Sequence, residues 1–328
     1  MKIPRLFQHL EFFNKNDFKS FEKFLKSPFL NHHLKSYTDI FRIISKSKNL
    51  LAMRKYEELR KTIIEGSGCS EKTTLTIMSK LSDLAIEYFK MKAIEGKNYE
   101  KEYALCEYLM STGYYDLLDE RIEVCLNLLL NGDNVDEGIY LNYYQIDYLN
   151  YRSSVLQDSK ILGDKSIIEQ QLHTLNASRN IFIYTLTKLV IGYINYTIQN
   201  IDSTYKNPDS YPIVLDSMFD ITEKPEFQTY DLRQKSIIKL YRHLYLMFSN
   251  LGDDDHYNNY KKCFYEIRDI FTGDFSKTHF NILLNYCHLR NRLNDKGTKF
   301  NTEGLRVLSE YIENKMYIND NNKYLSPL

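Results

Sequence analysis

The pattern that most constrains this chain is the recurrence of apolar residues every three or four positions along most of its length. The segment Asp255–Phe271 shows it most clearly, with large apolar side chains at Tyr257, Tyr260, Phe264, Ile267 and Phe271. Residues at this spacing share one face of an α-helix, whereas a half-buried strand alternates at every second position. We therefore predict an all-α protein.

Short clusters of Gly, Asn and Asp separate the helical patterns and predict turns between successive helices. The first group of helices is predicted as an N-terminal subdomain at residues 1–95. Helical-repeat segments are predicted at residues 98–206 and 213–328. Between them lies Asn207–Pro212, where two prolines within six residues predict a linker or a long loop between helices.

The predicted helix pairs recur at about 35–45 residues, an interval that is typical of α-solenoids. The turns Thr112–Leu117 and Leu251–Tyr257 resemble the turn between the two helices of a tetratricopeptide (TPR) repeat. Tyr257 stands where that repeat has a small residue, so the resemblance is to a degenerate, TPR-like array. It implies antiparallel helix pairs stacked as a right-handed α-solenoid after the N-terminal helical subdomain.

A second set of motifs lies in the N-terminal region. It comprises Leu6, Leu10, Asn16–Phe18, Phe21, Phe24–Leu25, Ser27–Asn31 and Leu75–Phe89. These motifs resemble the opening of an uncharacterised family of bacterial all-helical proteins whose members continue with TPR-like helices. The end of the chain, Tyr324–Leu328, resembles a junction inside such proteins, which implies a chain that is short relative to its relatives. The resemblance implies a bacterial protein and assigns it no biochemical role.

The charge and cysteine content argue against several functional classes. Lys and Arg together number 43 and so do Asp and Glu, so the chain has no overall basic excess to attract nucleic acid or an anionic membrane. The five cysteines are far apart and never form a Cys-x-x-Cys pair. This spacing disfavours a disulfide framework or a zinc site, and it favours a reducing cytoplasm as the location.

No segment is a convincing membrane or export signal. The opening residues, Met1–Leu10, lack the uninterrupted apolar core of a signal peptide. The most apolar stretch, Ile181–Ile198, carries Lys188 near its centre. A bilayer span needs roughly 20 predominantly apolar residues with few or no charges. We therefore expect this stretch to be a helix buried between neighbouring helices.

The chain carries no phosphate-binding glycine-rich loop, no nucleophile elbow and no metalloprotease motif. The densest titratable cluster, Asp253–His256, contains potential metal ligands. Acidic residues are also favoured at a helix start, by capping and by the helix dipole, and we favour that interpretation. We expect no catalytic residue, no metal ion and no cofactor, and therefore a protein that is not an enzyme.

Tyrosine is abundant, with 28 residues in a chain that has no tryptophan. The helix predicted at Ile139–Leu156 aligns Tyr140, Tyr144, Tyr148, Tyr151 and Val155 on one side. This spacing is typical of residues in a helical core. We favour that role over stacking on nucleic-acid bases, because proteins that stack on bases usually add a basic groove.

The best candidate for a charged surface is a set of basic residues on two predicted helices. The set comprises Arg233, Lys235, Lys239, Arg242, Arg290, Arg292, Lys296 and Lys299, with His243 and His288 beside them. If both groups lined one groove they would contact phosphates, so a nucleic-acid-associated protein is the alternative hypothesis. The leading hypothesis is a non-enzymatic scaffold or adaptor that binds another protein or a peptide on an extended helical surface.

Overall fold

The computed structural model describes residues 3–27, 34–131, 136–158, 164–200, 210–271, 273–293 and 299–314. Within these residues every regular element is helical, which confirms the predicted all-α class. The α-helices are α1 (Arg5–Leu10), α2 (Lys15–Leu25), α3 (Leu34–Lys46), α4 (Lys48–Ala52), α5 (Tyr56–Gly66), α6 (Glu71–Ile94), α7 (Asn98–Thr112), α8 (Tyr115–Leu130), α9 (Ile139–Asp158), α10 (Asp164–Asn200), α11 (Ser210–Thr222), α12 (Leu232–Ser249), α13 (Asp254–Ile267), α14 (Gly273–Leu293) and α15 (Lys299–Glu313). Short 3-10 helices cover Pro225–Thr229 and Arg268–Ile270.

The chain divides into two compact units, unit 1 at Met1–Lys101 and unit 2 at Glu102–Leu328. The division falls near the predicted end of the N-terminal subdomain, and unit 2 takes in nearly all of both predicted repeat segments. Residues 201–209, which hold much of the predicted linker, lie outside the described residues. Helix α11 begins at Ser210, inside that predicted linker, and carries Pro212 in its first turn. Proline is tolerated there because the first N–H groups of a helix have no partner within it.

Unit 1 is built around α6, which contacts α1, α2, α3 and α5. Its core is rich in aromatic rings. The ring centre of Phe21 lies 4.9 Å from that of Phe41, 5.3 Å from Phe13 and 5.4 Å from Tyr88. All four side chains are buried. The three pairs are close to edge-to-face, an arrangement that adds to the stabilisation from burial and joins α2 and α3 to α6.

Side-chain caps define the starts of two helices in unit 1. Asn14 accepts a hydrogen bond from the backbone N–H of Asp17, and the Asp17 carboxylate accepts one from the backbone N–H of Asn14. This reciprocal pair is a capping box at the start of α2. Ser70 accepts a hydrogen bond from the N–H of Thr73 at the start of α6, and it is therefore the N-cap of that helix.

Unit 2 is a series of helices, most of which pack against a near neighbour in the chain. Contacts join α8 to α9, α9 to α10, α10 to α12, α12 to α13 and α14 to α15. The long helix α10 contacts α11 and α12 through Tyr193, whose ring centre lies 6.5 Å from Tyr211 and 5.4 Å from Tyr245. The predicted inward face of α13 is confirmed, since Tyr257, Tyr260, Phe264 and Ile267 are all buried.

One described segment, Ile167–Gln199 within α10, is long and apolar enough to cross a membrane by length and composition. Three of its apolar side chains, Ile183, Leu186 and Val190, are completely buried within unit 2. The Lys188 ammonium lies 3.4 Å from the Glu137 carboxylate. Neighbouring helices therefore cover one face of the segment, and a paired charge lies on another.

Candidate functional site

Helix α9 differs from the sequence prediction in the side that it buries. The side chains directed into unit 2 are those of Ile139, Ile146, Leu149 and Ser153. Tyr144, Tyr148 and Tyr151 lie on the opposite side of the helix, where Tyr148 is 43% exposed and Val155 is also exposed. The prediction of a core role was therefore wrong for Tyr148 and Val155. Tyr144 and Tyr151 are half-buried, and Tyr140 is buried.

Tyr144, Tyr148 and Tyr151, called the tyrosine face below, form a row of neighbouring rings. The ring centres of Tyr144 and Tyr148 are 5.9 Å apart with planes at 16°, and those of Tyr148 and Tyr151 are 6.2 Å apart. The Arg152 guanidinium lies 5.9 Å from the centre of the Tyr148 ring, within cation–π range. Among the described residues, no hydrogen bond engages the three hydroxyl groups. Within this part of the chain, the hydroxyl groups are available to bond to a ligand.

Helix α7 brings a further tyrosine, Tyr103, close to the tyrosine face. Burial is the largest cause of a raised pKa at Tyr103, and the Glu107 carboxylate, which accepts a hydrogen bond of 3.3 Å from this hydroxyl, adds to it. Together they bring the pKa to about 12. The charge of Arg152, which lies beside the Tyr148 ring, opposes this increase in pKa. Tyr103 therefore keeps its proton at neutral pH and acts as a hydrogen-bond donor.

A groove between α9 and α10 continues the tyrosine face beyond Tyr151. Its volume is about 480 Å³, and its lining includes Ile167, Gln171 and Leu175 beside Tyr151. None of the described residues that line this α9–α10 groove is charged. The face and the groove together offer ring surfaces, aliphatic side chains, and amide and hydroxyl groups. Such a combination contacts apolar side chains and satisfies the backbone polar groups of a bound chain.

The predicted basic face is divided among separate surroundings. Arg290 is buried, with its guanidinium 2.9 Å from the Asp254 carboxylate and 4.6 Å from the centre of the Phe300 ring. Lys299 forms an ion pair with the same carboxylate. The hydrogen bond from Lys299, together with the charge of Arg290, holds the pKa of Asp254 below its usual range. These two cations therefore neutralise a carboxylate within unit 2.

The basic residues of α12 have other neighbours. Arg242 forms an ion pair with Glu223, and Arg233 lies 5.0 Å from the centre of the Phe271 ring. Three further members of the set, Lys235, Lys239 and Arg292, are exposed. Lys296 lies outside the described residues. The structure thus brings Arg290 and Lys299 together at one carboxylate, whereas Arg242 pairs with another. A phosphate-binding groove shared by both groups of basic residues stays a prediction.

The acidic cluster Asp253–His256 forms a helix start. Asp253 is the N-cap of α13, and its carboxylate accepts a 2.8 Å hydrogen bond from the N–H of Asp255. This confirms the capping interpretation of the cluster. Within the part of the chain that the structure describes, no group of three or more His, Cys, Asp or Glu side chains is placed to hold a metal ion.

No protein-family model, no curated protein and no solved structure matches this chain. The resemblance of its N-terminal motifs to a bacterial family therefore stays a prediction, as does the TPR-like character of its helix pairs. The geometry of the tyrosine face and its groove is the basis on which a function can be assigned.

Proposed function

We propose that this protein is a non-enzymatic scaffold that binds another protein or a peptide through the tyrosine face and the α9–α10 groove. The observation that carries the proposal is the row of three tyrosine rings on the side of α9 that faces away from the core. Tyrosine is enriched at interfaces because its ring supplies a large contact area and its hydroxyl supplies a hydrogen bond. Rings that already stack on each other lose little freedom when a ligand binds.

The scaffold in this proposal is a TPR-like right-handed α-solenoid of antiparallel helix pairs, and the protein is a bacterial, cytoplasmic one. The packing of helices that are near neighbours in the chain, such as α8 with α9, α9 with α10 and α12 with α13, supports this architecture. In a solenoid each repeat contacts mainly its neighbours in sequence, and the stack presents an extended surface to ligands. The tyrosine face would be one part of that surface.

The lining of the site favours an extended, weakly charged ligand. The described lining residues of the α9–α10 groove include no charged side chain that could pair with a charged ligand. Proline-rich segments dock into aromatic grooves because their polyproline II conformation is ordered before binding. That conformation rises about 3.1 Å per residue, so the ring spacings of 5.9 and 6.2 Å correspond to about two residues of such a segment. A proline-rich segment is therefore the ligand class that we expect.

Affinity purification of the tagged full-length protein from its native cells, with and without nuclease, tests this proposal. The informative variant replaces Tyr144, Tyr148 and Tyr151 with alanine. The matched control is Tyr108→Ala, which removes an exposed tyrosine from α7. We expect a stoichiometric protein partner that survives nuclease and high salt with the wild type and the control. The triple variant should lose it while keeping its helical circular dichroism spectrum.

Two outcomes would overturn the proposal. A partner retained equally by the triple variant would remove the tyrosine face from the interaction. Enrichment that disappears with nuclease would favour the nucleic-acid hypothesis, and substitutions at exposed Lys235, Lys239 and Arg292 would then be expected to reduce the salt-dependent binding.

A further inference from the structure

Unit 1 contains a second groove, which lies where the turn between α1 and α2 approaches α4. Its volume is about 750 Å³, within the usual range of ligand sites. The apolar side chains of its lining include Leu10, Phe13, Phe18 and Leu51. Phe12 also lines it and is 78% exposed. An exposed aromatic ring beside an apolar groove is typical of a surface that binds a partner.

The rim of this groove is cationic. Lys15, Lys48 and Arg54 line it and are exposed, whereas Glu11 is the one acidic residue among its described lining residues. The Glu11 carboxylate already accepts a hydrogen bond from the hydroxyl of Tyr56. Within the described residues, the three cations have no carboxylate partner. They differ in this respect from Arg290 and Lys299, which pair with Asp254.

Arg54 has a left-handed backbone, with φ of 56°. It follows α4, where the N–H of Arg54 bonds to the Leu51 carbonyl at 2.9 Å and the N–H of Lys55 bonds to the Leu50 carbonyl at 2.8 Å. This is the Schellman arrangement, in which glycine is the usual residue at the left-handed position. A long cationic side chain held at a position that favours glycine points to a role for that side chain.

We propose that this groove, called the cationic groove below, binds an amphipathic helix of a partner protein. The apolar face of that helix enters the groove, and its Asp and Glu residues meet Lys15, Lys48 and Arg54. Charge complementarity selects the acidic partner. The described part of the chain offers no strand edge to which an extended segment could add, whereas a helix in a groove needs only side-chain contacts.

This inference goes beyond the proposed function, because the cationic groove lies in unit 1 and shares no residue with the tyrosine face. Fluorescence anisotropy with the full-length protein tests it. The probe is a labelled amphipathic peptide of about 18 residues, or about five helical turns, with leucines on one face and glutamates beside them. The matched peptide has lysine at each glutamate position. We expect the acidic peptide to bind about tenfold more tightly than the basic one at low salt.

Charge reversal of the protein provides the sharper test. The double variant Lys48→Glu with Arg54→Glu should reverse the preference, so that it binds the basic peptide more tightly. Lys19→Glu is the matched control, because Lys19 is exposed on α2 but does not line the groove. It should leave both affinities unchanged apart from a small, salt-screened effect of net charge.

The variant Arg54→Gly distinguishes a loss of peptide binding from a loss of folding stability. It removes the cation and relieves the left-handed backbone, so the thermal midpoint should not fall, while affinity for the acidic peptide should drop about threefold. Loss of binding together with a lower midpoint would contradict this assignment of Arg54.

Three results would overturn the proposal: equal binding of the two peptides, an unchanged preference in the double variant, or displacement of the acidic peptide by a short DNA duplex. The last result would identify the groove as a general polyanion site. The tyrosine-face triple variant should bind the acidic peptide like the wild type, so failure of either proposal is distinguishable from failure of the other.

Discussion

At the scale of single residues, His279 is a titratable group that lies entirely within the core. It is completely buried in unit 2, and burial lowers its pKa to about 3. The rings of Phe264 and Phe275 lie 5.5 and 4.2 Å away, and the Tyr260 hydroxyl lies 2.7 Å from Nδ1. Among the described residues, Nε2 has no hydrogen-bond partner. Since no carboxylate contacts the ring there, His279 stays neutral.

This lowered pKa predicts that the protein loses stability as the pH falls below neutrality. The unfolded chain binds a proton at the usual histidine pKa of 6.5, whereas the folded protein does not until the pH approaches about 3. The unfolded state therefore binds more protons within that window. The free energy of unfolding should decrease by about 1.4 kcal/mol per pH unit, or about 2 kcal/mol between pH 7 and pH 5.

Urea unfolding at pH 7 and pH 5 measures the effect. His279→Gln removes the titrating group. The decrease in the free energy of unfolding between pH 7 and pH 5 should therefore be about 2 kcal/mol smaller for this variant than for the wild type. His288→Gln is the control, because His288 is exposed on the same helix. Equal pH dependence in wild type and His279→Gln would show that His279 does not titrate as a buried neutral group.

At the scale of an element, α9 shows why helical spacing locates a helix better than it orients one. The helix predicted at Ile139–Leu156 is found at Ile139–Asp158. Its sequence contains two stripes at helical spacing, an aliphatic one through Ile146 and Leu149 and the tyrosine face on the other side. Only one stripe can face the core. The choice depends on how α8 and α10 pack against α9, and the sequence of α9 does not contain that information.

Two alanine substitutions test this orientation. Leu149→Ala removes a buried side chain and should lower the free energy of unfolding by about 2–5 kcal/mol, because it leaves a cavity beside α8 and α10. Tyr148→Ala should cost less than about 1 kcal/mol, since the ring is 43% exposed and contacts mainly Tyr144 and Tyr151. Chemical denaturation followed by circular dichroism measures both. A larger cost for Tyr148→Ala than for Leu149→Ala would place the tyrosines in the core.

Other elements show which local sequence signals are sufficient to predict the start of a helix and which are not. The caps at Ser70 and Asp253 were predictable because an N-cap acts on backbone groups two or three residues away. Helices α1 and α4 span fewer than two turns, so their apolar residues are too few to show a period. The sequence predicts a linker at Asn207–Pro212, whereas α11 begins at Ser210, because proline also occurs in the first turn of helices.

At the scale of the whole molecule, the functional surfaces depend on contacts between residues far apart in sequence. Arg290 and Asp254 are ion-paired across 36 positions, so the sequence alone could not show that this cation is neutralised. The cationic groove likewise combines Lys15 of α2 with Lys48 of α4 and with Arg54, which follows α4. Local periodicity in the sequence was sufficient to predict the all-α class. Which basic side chains are paired with a carboxylate, and which are left exposed, depends on the tertiary packing.

The two compact units have separate aromatic cores, one around Phe21 and one around Phe264, so we expect each to open independently. Hydrogen exchange followed by mass spectrometry tests this. Phe21→Ala should lower the free energy of unfolding of unit 1 by about 3–5 kcal/mol. Amide hydrogen exchange should then become faster in α2, α3 and α6 and change little from α8 to α15. Phe264→Ala should do the reverse, with faster exchange in α12, α13 and α14. Faster exchange in both units from either substitution would instead mean that the whole chain unfolds as one cooperative body.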